Sequence, residues 1–260
     1  MSSIIGNIKI LSCGYCMQLE RFASIAGRWK MKRFPARCCL VPLQKGFLLF
    51  DSGYAADTNK IMQSWPAWCY KTLIPVTIEP SQTAVRRLEN LGVCAGEIKY
   101  IFISHFHADH IGGLRDFPNA RFICSQEGYQ SLKKLSVFRQ ICKGFVADFL
   151  PDGFEKRTSF VSEKNGKKTN GLLLHSMADL PDMYAVSLPG HAKGQLGLWL
   201  KEKNILLAAD AAWTSDNLKS DGRPSLFALN LFENKRQYIN TLCRLSCLSD
   251  LKIIFTHEED

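Results

Sequence analysis

The segment Ser104 to Gly113, "SHFHADHIGG", restricts the fold and function of this chain more than any other stretch does. It places three histidines and an aspartate within six positions, in a chain of 260 residues that has only six histidines. The apolar run "IKYIFIS" comes just before it and predicts a short buried strand. The segment therefore puts metal-ligating side chains at the end of a strand, where layered α/β proteins build their sites.

The spacing inside this segment predicts two neighbouring metal positions. His105 and His107 are two residues apart, so on an extended chain they point the same way and can bind one ion. Asp109 and His110 come after a turn that the following "IGGL" lets tighten, so they can face a second ion. Two ions about 3.5 to 4 Å apart can share a hydroxide and stabilise both the attacking and the departing oxygen of a hydrolysis. Imidazole and carboxylate ligands suit zinc, and also manganese or iron.

The other candidate ligands also follow apolar runs. They are His191 after "VSLPG", Asp210 after "ILLAA" and His257 after "IIFT". Five of the six histidines thus stand at predicted strand ends, and His175 is the exception, which we expect on the surface.

Strands and helices are mixed along the chain, with strands in the majority. The segment "RCCLVPLQKGFLLFDSG" predicts two strands joined by a turn at Gln44 to Gly46. The segment "SQTAVRRLENLG" predicts a helix that begins at Ser81 and stops at Gly92. No repeat or linker interrupts the pattern, so we expect one domain over residues 1–260.

The composition indicates which class of protein this is and in which cellular compartment we expect it. With 46% hydrophobic and 22% charged residues the chain has the profile of a soluble globular protein. It lacks the run of about eighteen apolar residues that a membrane span needs, and its N-terminus lacks the pattern of a secretory signal, so we expect a cytoplasmic protein. Ten cysteines in such a chain are expected to be reduced, and we expect Cys243 and Cys247 to pack on one face of the last helix.

The formal net charge of +9 is compatible with nucleic acid, an anionic membrane surface or an acidic small molecule as partner. Basic residues crowd the segment 21–37 beside Phe22, Trp29 and Phe34, and a second basic run, "EKNGKKTNG", covers residues 163–171. We expect both runs to be solvated faces, and we expect neither nucleic acid nor a membrane span.

Several motifs together resemble a known family. "HFHADH", "PGH" ending at His191, then Asp210 and His257 resemble the metal-binding signature of the metallo-β-lactamase fold superfamily in order and spacing, over nearly the whole chain. "CGYC", "CCLVPLQKGFLLFDSG", "SLPGHAKGQLGLWL", "AADAAWT" and "IIFTHEED" are similar to segments of the N-acyl homoserine lactonase group. The resemblance implies an α/β fold, a four-layer αββα sandwich with metals at one edge between two sheets.

The resemblance also implies a ligand set. The first metal would be bound by His105, His107 and His191, the second by Asp109, His110 and His257, and Asp210 would bridge both. The cofactors would be two divalent ions, with zinc expected and manganese or iron as alternatives. Asp51, in "FDSG", matches a family position close to the site, where it would support the ligands or the fold.

The activity implied is hydrolysis of an ester or lactone bond in a small-molecule substrate by a hydroxide that bridges the metals. Asp109 would carry a proton to the leaving alkoxide. Phe22, Trp29 and Phe34 would offer apolar surface to an acyl chain at the pocket mouth.

The chain departs from the lactonase pattern at one position. Lactonases have a tyrosine three residues after the bridging aspartate, which is taken to hold the substrate carbonyl, and this chain has Trp213 there. Indole donates one hydrogen bond but has no phenol, so Trp213 is expected to contact substrate as a pocket wall. Tyr15, Tyr54 and Tyr70 are candidates to replace the phenol.

Three alternatives share the same metal site. A thioesterase of the glyoxalase II type would carry an added C-terminal helical domain, which we do not expect because the sequence stops three residues after His257. A phosphodiesterase or nuclease would suit the charge of +9. A weakly catalytic binding or regulatory protein would suit the loss of the tyrosine at Trp213.

Overall fold

The computed structural model describes residues 2–5, 8–63, 65–169 and 171–259. The strands are β1 (Ser2–Ile5), β2 (Ile8–Leu19), β3 (Met31–Pro42), β4 (Phe47–Phe50), β5 (Val76–Thr77), β6 (Ile98–Phe102), β7 (Arg121–Ser125), β8 (Thr158–Val161), β9 (Lys167–Thr169), β10 (Leu172–Met177), β11 (Leu180–Ser187), β12 (Leu196–Leu200), β13 (Ile205–Ala209) and β14 (Lys252–Phe255). The α-helices are α1 (Glu20–Ala23), α2 (Thr58–Ile61), α3 (Ala67–Leu73), α4 (Ala84–Glu89), α5 (Ala108–Ile111), α6 (Gln126–Lys133), α7 (Val137–Cys142), α8 (Leu226–Leu231) and α9 (Lys235–Ser246).

The strands form two sheets. The first has the order β1-β2-β3-β4-β6-β7-β8, with β5 paired to β2, and the second has the order β14-β13-β12-β11-β10-β9. Strands β4, β6, β7 and β8 run parallel to one another, as do β13 and β14. Parallel strands are covered on both faces, which accounts for the nearly unbroken apolar runs at β6 and β13. Their carboxyl ends lie at one edge, where polar side chains can meet.

Three apolar layers hold the four structural layers together. Between the sheets, Phe50 stacks on Phe102 with ring centroids 5.6 Å apart, and both lie in one cluster with Leu196 of the second sheet. A second cluster packs the helices of the N-terminal half against the outer face of the first sheet. A third packs Tyr238, Leu242 and other residues of α9 against the second sheet. The prediction of a four-layer αββα sandwich is confirmed.

The local predictions have mixed outcomes. The hairpin of β3 and β4 is confirmed, with its turn at 43–46. The helix start at Ser81 is wrong: Pro80–Gln82 is a separate 3-10 turn, and α4 begins after Thr83, whose extended backbone (φ −62°, ψ 154°) divides the two. The basic run at 163–171 includes the exposed edge strand β9. The boundaries of a single domain stay a prediction.

Two predictions about which side chains are buried and which are exposed are wrong. His175 is buried, with Nε2 2.8 Å from Ser187 Oγ, because β10 lies inside the second sheet and Gly166 packs over the ring. Cys243 and Cys247 are exposed. Helix α9 buries Leu242 and Leu245. Cys243 follows Leu242 by one residue and Cys247 follows Leu245 by two, so both cysteines are rotated away from the sheet.

Within the described residues, no helix combines the length and the apolar character needed to cross a bilayer.

Candidate metal centre

Four strand ends carry the seven candidate ligands to one place. The segment from the end of β6 into α5 supplies four of them, and the chain after β11, β13 and β14 supplies the others. They form two groups: His105, His107, His191 and Asp210, and Asp109, His110, Asp210 and His257, with the ligand atoms in each group within 4.8 Å of one another. The structure therefore brings together every residue that the sequence pattern singled out for metal.

The backbone has a positive φ at the residue before each of two candidate ligands, Asp210 and His191. Ala209 has a left-handed conformation (φ 46°) where the pairing of β13 with β14 shifts register, and this turn aims Asp210 into the site. Gly190 (φ 134°) precedes His191, and a Cβ there would lie 2.2 Å from the backbone nitrogen of Tyr238. A glycine is required at that position because α9 passes so close.

The atoms of the first group have the separation expected of ligands to one ion. His191 Nε2 lies 3.1 Å from His107 Nδ1 and 3.3 Å from Asp210 Oδ2. Ligand atoms bound at 2.0–2.1 Å to a tetrahedral zinc are about 3.3 Å from one another. The observed distances match this geometry.

The second group has the same spacing. His110 Nε2 lies 3.4 Å from Asp109 Oδ2 and 3.5 Å from Asp210 Oδ1. His257 Nε2 lies 3.6 Å from Asp109 Oδ2 and 3.2 Å from Asp210 Oδ2. The carboxylate of Asp210 therefore faces both groups.

Three imidazoles are oriented by hydrogen bonds on their outer nitrogen. His110 Nδ1 donates to Asp51 Oδ2 at 2.7 Å, and His257 Nδ1 donates to the carbonyl of Pro35 at 2.8 Å. His105 Nδ1 lies 3.1 Å from Ser104 Oγ, whose own hydroxyl donates to Asp51. With the proton fixed on Nδ1, each Nε2 keeps its lone pair for a metal.

Asp51 connects the hydrogen bonds that orient His110 and His105. It is fully buried, and its carboxylate accepts from the backbone N–H of Ser104 and from its hydroxyl, both at 2.8 Å, as well as from His110. Its backbone is left-handed (φ 59°), a conformation that aspartate tolerates better than most residues. The sequence pointed to this residue, and the structure shows which ligands it orients.

Burial and charge hold most of the ligands in the form a cation needs. Burial lowers the pKa of His105 well below its usual value and that of His191 to about 3, so both imidazoles are neutral. Burial opposes ionisation of Asp109, but His110 and His257 outweigh it and lower its pKa to about 2. Neutral imidazole and ionised carboxylate are the metal-binding species.

The site also carries an excess of negative charge. Burial would lower the pKa of His110, yet Asp109, Asp51 and Asp210 together raise it well above its ordinary value. Such a pocket favours a bound cation. Within the described residues, buried His105 Nε2, His110 Nε2 and Asp210 Oδ1 have no hydrogen-bond partner, and they point to the unmet coordination of metal ligands. The residues therefore fit divalent metal.

Trp213 lies against one candidate ligand of each group. Its ring centroid is 6.4 Å from that of His191 and 6.5 Å from that of His257, and its carbonyl accepts the N–H of His257 at 3.2 Å. Phe34 packs on it at 6.1 Å. The place of Trp213 suits a pocket wall.

The other aromatic residues of the N-terminal segment lie farther out. Phe22 is half-buried against Phe227, with centroids 5.1 Å apart. Trp29 is 75% exposed and lies under Arg21, whose guanidinium carbon is 5.8 Å from the ring centroid. Contact of Phe22 and Trp29 with substrate stays a prediction.

Two of the candidate tyrosines lie in the described part of the chain. Tyr54 is buried in the core and hydrogen-bonds to the thiol of Cys16. Tyr15 packs against Arg33, 5.0 Å from the ring centroid. The side chain of Tyr70 lies outside the described part of the chain.

The sequence pattern gave no signal for a second wall of the site. The ring of Phe232 lies 4.7 Å from that of His191 and 5.5 Å from that of Trp213. Gly144 packs on His107, since a Cβ there would lie 2.7 Å from the ring. Lys143 and Glu233, 2.7 Å apart, join the segments that carry these two residues. Because Lys143 and Glu233 are 90 positions apart in the sequence, their contact has no local sequence pattern that could have predicted it.

Comparison with known proteins agrees with this geometry. Residues 32–257 match the family model described as metallo-beta-lactamase superfamily. The N-acyl homoserine lactonase AttM of Rhizobium radiobacter is 29% identical over 204 residues, which cover 75% of this chain and 71% of AttM. The N-acyl homoserine lactonase AiiA of Bacillus thuringiensis subsp. kurstaki is 24% identical over 201 residues, which cover 74% of this chain and 70% of AiiA.

Solved structures agree with the fold. An N-acyl homoserine lactone hydrolase with the product N-hexanoyl-L-homoserine at its catalytic metal centre superimposes with a TM-score of 0.73 at 19% identity, covering 96% of this chain and 92% of that one. AidC, a dizinc quorum-quenching lactonase, superimposes with a TM-score of 0.64 at 16% identity, covering 99% of this chain and 90% of that one. Because the matched family segment contains all seven candidate ligands, this chain belongs to the metallo-β-lactamase superfamily, and the prediction of a hydrolase akin to the lactonases is confirmed.

Proposed function

We propose that the protein is a dinuclear-metal hydrolase that opens lactones or esters with an apolar acyl group, the substrate class named for its N-acyl homoserine lactonase relatives. The observation that carries the proposal is the position of Asp210. One of its oxygens lies 3.5 Å from His110 and the other lies 3.3 Å from His191 and 3.2 Å from His257. A carboxylate shared in this way suits two ions side by side.

We assign His105, His107 and His191 to the first ion, Asp109, His110 and His257 to the second, and Asp210 to both, with zinc as the metal. When bound, such a pair of ions polarises a carbonyl and lets water ionise near neutral pH. The protein orients the ligands through Asp51, Ser104 and Pro35.

Asp109 is the proposed proton carrier. Its Oδ2 lies between His110 and His257, at 3.4 Å and 3.6 Å, and the residue is 8% exposed. A carboxylate at this edge of the centre can take the proton released as water adds to the carbonyl and pass it to the leaving alkoxide. Asp109 would therefore act both as a ligand of the second ion and as the proton carrier.

The pocket walls supply apolar contact. Trp213, Phe34 and Phe232 lie against the ligand histidines, with ring centroids 4.7 to 6.5 Å away. We propose that Trp213 contacts the acyl group next to the scissile bond, and that Phe22 and Trp29 contact only its outer part. Each CH₂ buried against such walls adds up to about 0.8 kcal/mol of binding free energy.

The test is a panel of substrates with the metal content measured on the same preparation. We expect about two transition-metal ions per chain, and hydrolysis of N-acyl homoserine lactones with KM falling as the acyl chain lengthens. An acyl thioester and a bis-aryl phosphate serve as competing substrates.

The proposal fails if the phosphate diester or the thioester is the better substrate at matched concentration. It also fails if the protein neither contains nor takes up a transition metal. Asp57→Asn is a suitable control variant, because Asp57 is an exposed carboxylate paired with Arg115.

A further inference from the structure

Large apolar side chains are exposed in a few segments of this protein. In the described part of the chain those most exposed, from 42% to 76%, are Ile25, Trp29, Met31, Trp65, Trp68, Val137, Phe138, Leu226, Phe227 and Leu231. They belong to four segments: the β2–β3 connection with the start of β3, the start of α3 with the residues just before it, the start of α7, and α8. Single exposed apolar residues are ordinary, whereas a concentration of this kind marks an interaction surface.

Contacts join these segments into a continuous band. Trp65 stacks on Phe138 with centroids 6.4 Å apart, which joins α3 to α7. The β2–β3 connection and α8 are joined by Phe22 and Phe227, and by the N–H of Ile25, which donates to the carbonyl of Arg223 at 2.8 Å. The ion pair of Lys143 and Glu233 links the chain after α7 to the chain after α8. We call these four segments, taken as residues 20–33, 65–73, 137–142 and 221–231, the apolar band.

The apolar band reaches the metal centre through residues that follow three of its segments. Phe232, the residue after α8, packs on His191, and Gly144, two residues after α7, packs on His107. Ile74, the residue after α3, packs against the cluster that contains Phe34 and Trp213. Three of the four segments of the band therefore end beside the site.

The apolar band is also basic. Residues 20–33, 65–73, 137–142 and 221–231 contain eight Lys and Arg but only two acidic residues, Glu20 and Asp221. Arg28, Lys30 and Arg223 are exposed among the apolar side chains. Exposed Trp, Leu and Met ringed by Lys and Arg is the composition that binds the interface of an anionic bilayer.

We propose that the apolar band docks the protein on the surface of an anionic phospholipid membrane. This inference goes beyond the proposed function and does not depend on it. Trp29 and Trp65 would lie at headgroup level, where indole is favoured. The aliphatic tips of Leu226 and Leu231 would enter the acyl region.

The charge argues against the two other partners. A second copy on the same face would bring two basic surfaces together, because a two-fold contact pairs each patch with itself. Single-stranded nucleic acid would satisfy the basic residues and stack on tryptophan, but Ile25, Met31, Leu226 and Leu231 offer it no stacking surface. A bilayer satisfies both kinds of side chain.

The experiment is flotation of the full chain with vesicles of phosphatidylglycerol and phosphatidylcholine, compared with vesicles of phosphatidylcholine alone. We expect at least about tenfold stronger partitioning into the anionic vesicles, and weaker partitioning as salt is raised. Two double variants test the two parts of the band. Trp29→Ser with Leu226→Ser removes exposed apolar surface, and Arg28→Glu with Lys30→Glu reverses charge.

The matched control is Lys201→Glu with Lys203→Glu. It makes the same change of net charge in an exposed turn before β13, at the opposite end of that strand from Asp210. We expect each band variant to lower partitioning at least about tenfold and the control to lower it less than about twofold. Thermal unfolding of each variant shows whether it is folded, and the two band variants alter different side chains, so one remains informative if the other is unstable.

The proposal is overturned if the protein does not prefer anionic vesicles, or if the control variant loses as much binding as the charge-reversed band. It is also overturned if sedimentation shows a dimer that the band variants dissociate, because the band would then cover a second copy. Tighter binding to a single-stranded oligonucleotide, measured by competition with the vesicles, would overturn it as well.

Discussion

The substitution Asp51→Asn tests whether hydrogen bonds to the Nδ1 atoms of the candidate ligand histidines set the affinity for metal. The two side chains have the same shape, and asparagine tolerates the left-handed backbone at this position (φ 59°) as well as aspartate does. The change converts one carboxylate oxygen into an NH₂ group. That group cannot accept from His110 Nδ1, which lies 2.7 Å from Asp51 Oδ2 in a fully buried position.

Two responses are open to the protein, and both weaken the second metal position. Either two N–H donors face each other, or the imidazole of His110 moves its proton to Nε2 and loses the lone pair that would bind metal. Loss of an outer partner of this kind lowers metal affinity by about 10- to 100-fold, which is about 1.4 to 2.7 kcal/mol. The first position should change less, because Asp51 reaches His105 only through the hydroxyl of Ser104.

The assay is titration of the metal-free protein with zinc against a competing chelator, which resolves a strong and a weak site. Asp57→Asn is the control, because it is the same substitution at an exposed carboxylate that pairs with Arg115. If both affinities of Asp51→Asn stay within about twofold of the wild type, or fall equally in the control, the proposed role of Asp51 is refuted.

Four further predictions concern single residues. Asp109→Asn should lower kcat more than it raises KM, because the lost proton transfer acts mainly in the transition state; an unchanged kcat would exclude the role. Asp210→Ala should reduce metal content at both positions by elemental analysis, whereas loss of one ion only would contradict a shared carboxylate. Trp213→Tyr should raise kcat/KM on homoserine lactones, because a phenol can donate to the carbonyl; an equal or lower value counts against this. Burial lowers the pKa of His175, so the folded state resists its protonation and the stability it contributes falls as pH drops through the unfolded value of about 6.5. The difference in unfolding free energy between wild type and His175→Gln should therefore shrink from about pH 8 to about pH 5, and a constant difference would refute the assignment.

The candidate ligands could be predicted from the sequence because an apolar run that predicts a strand comes before each group of them. Spacing alone separated the pair His105 and His107 from Asp109 and His110. The burial of His175 could not be predicted, because it depends on Gly166 and Ser187 packing around one ring. The exposure of Cys243 depends on which face of α9 meets the second sheet.

By itself, the sequence determined the kinds of layer and the set of candidate ligands. Hydrophobic periodicity and metal-ligand chemistry are local properties, readable from neighbours along the chain. Only the tertiary structure decided that Asp210 faces both groups, since a register shift at Ala209 turns it there. The same holds for the wall made by Phe232 and Gly144 and for the apolar band. These features arise where distant segments pack together, and contacts between distant segments leave no periodic signal in the sequence.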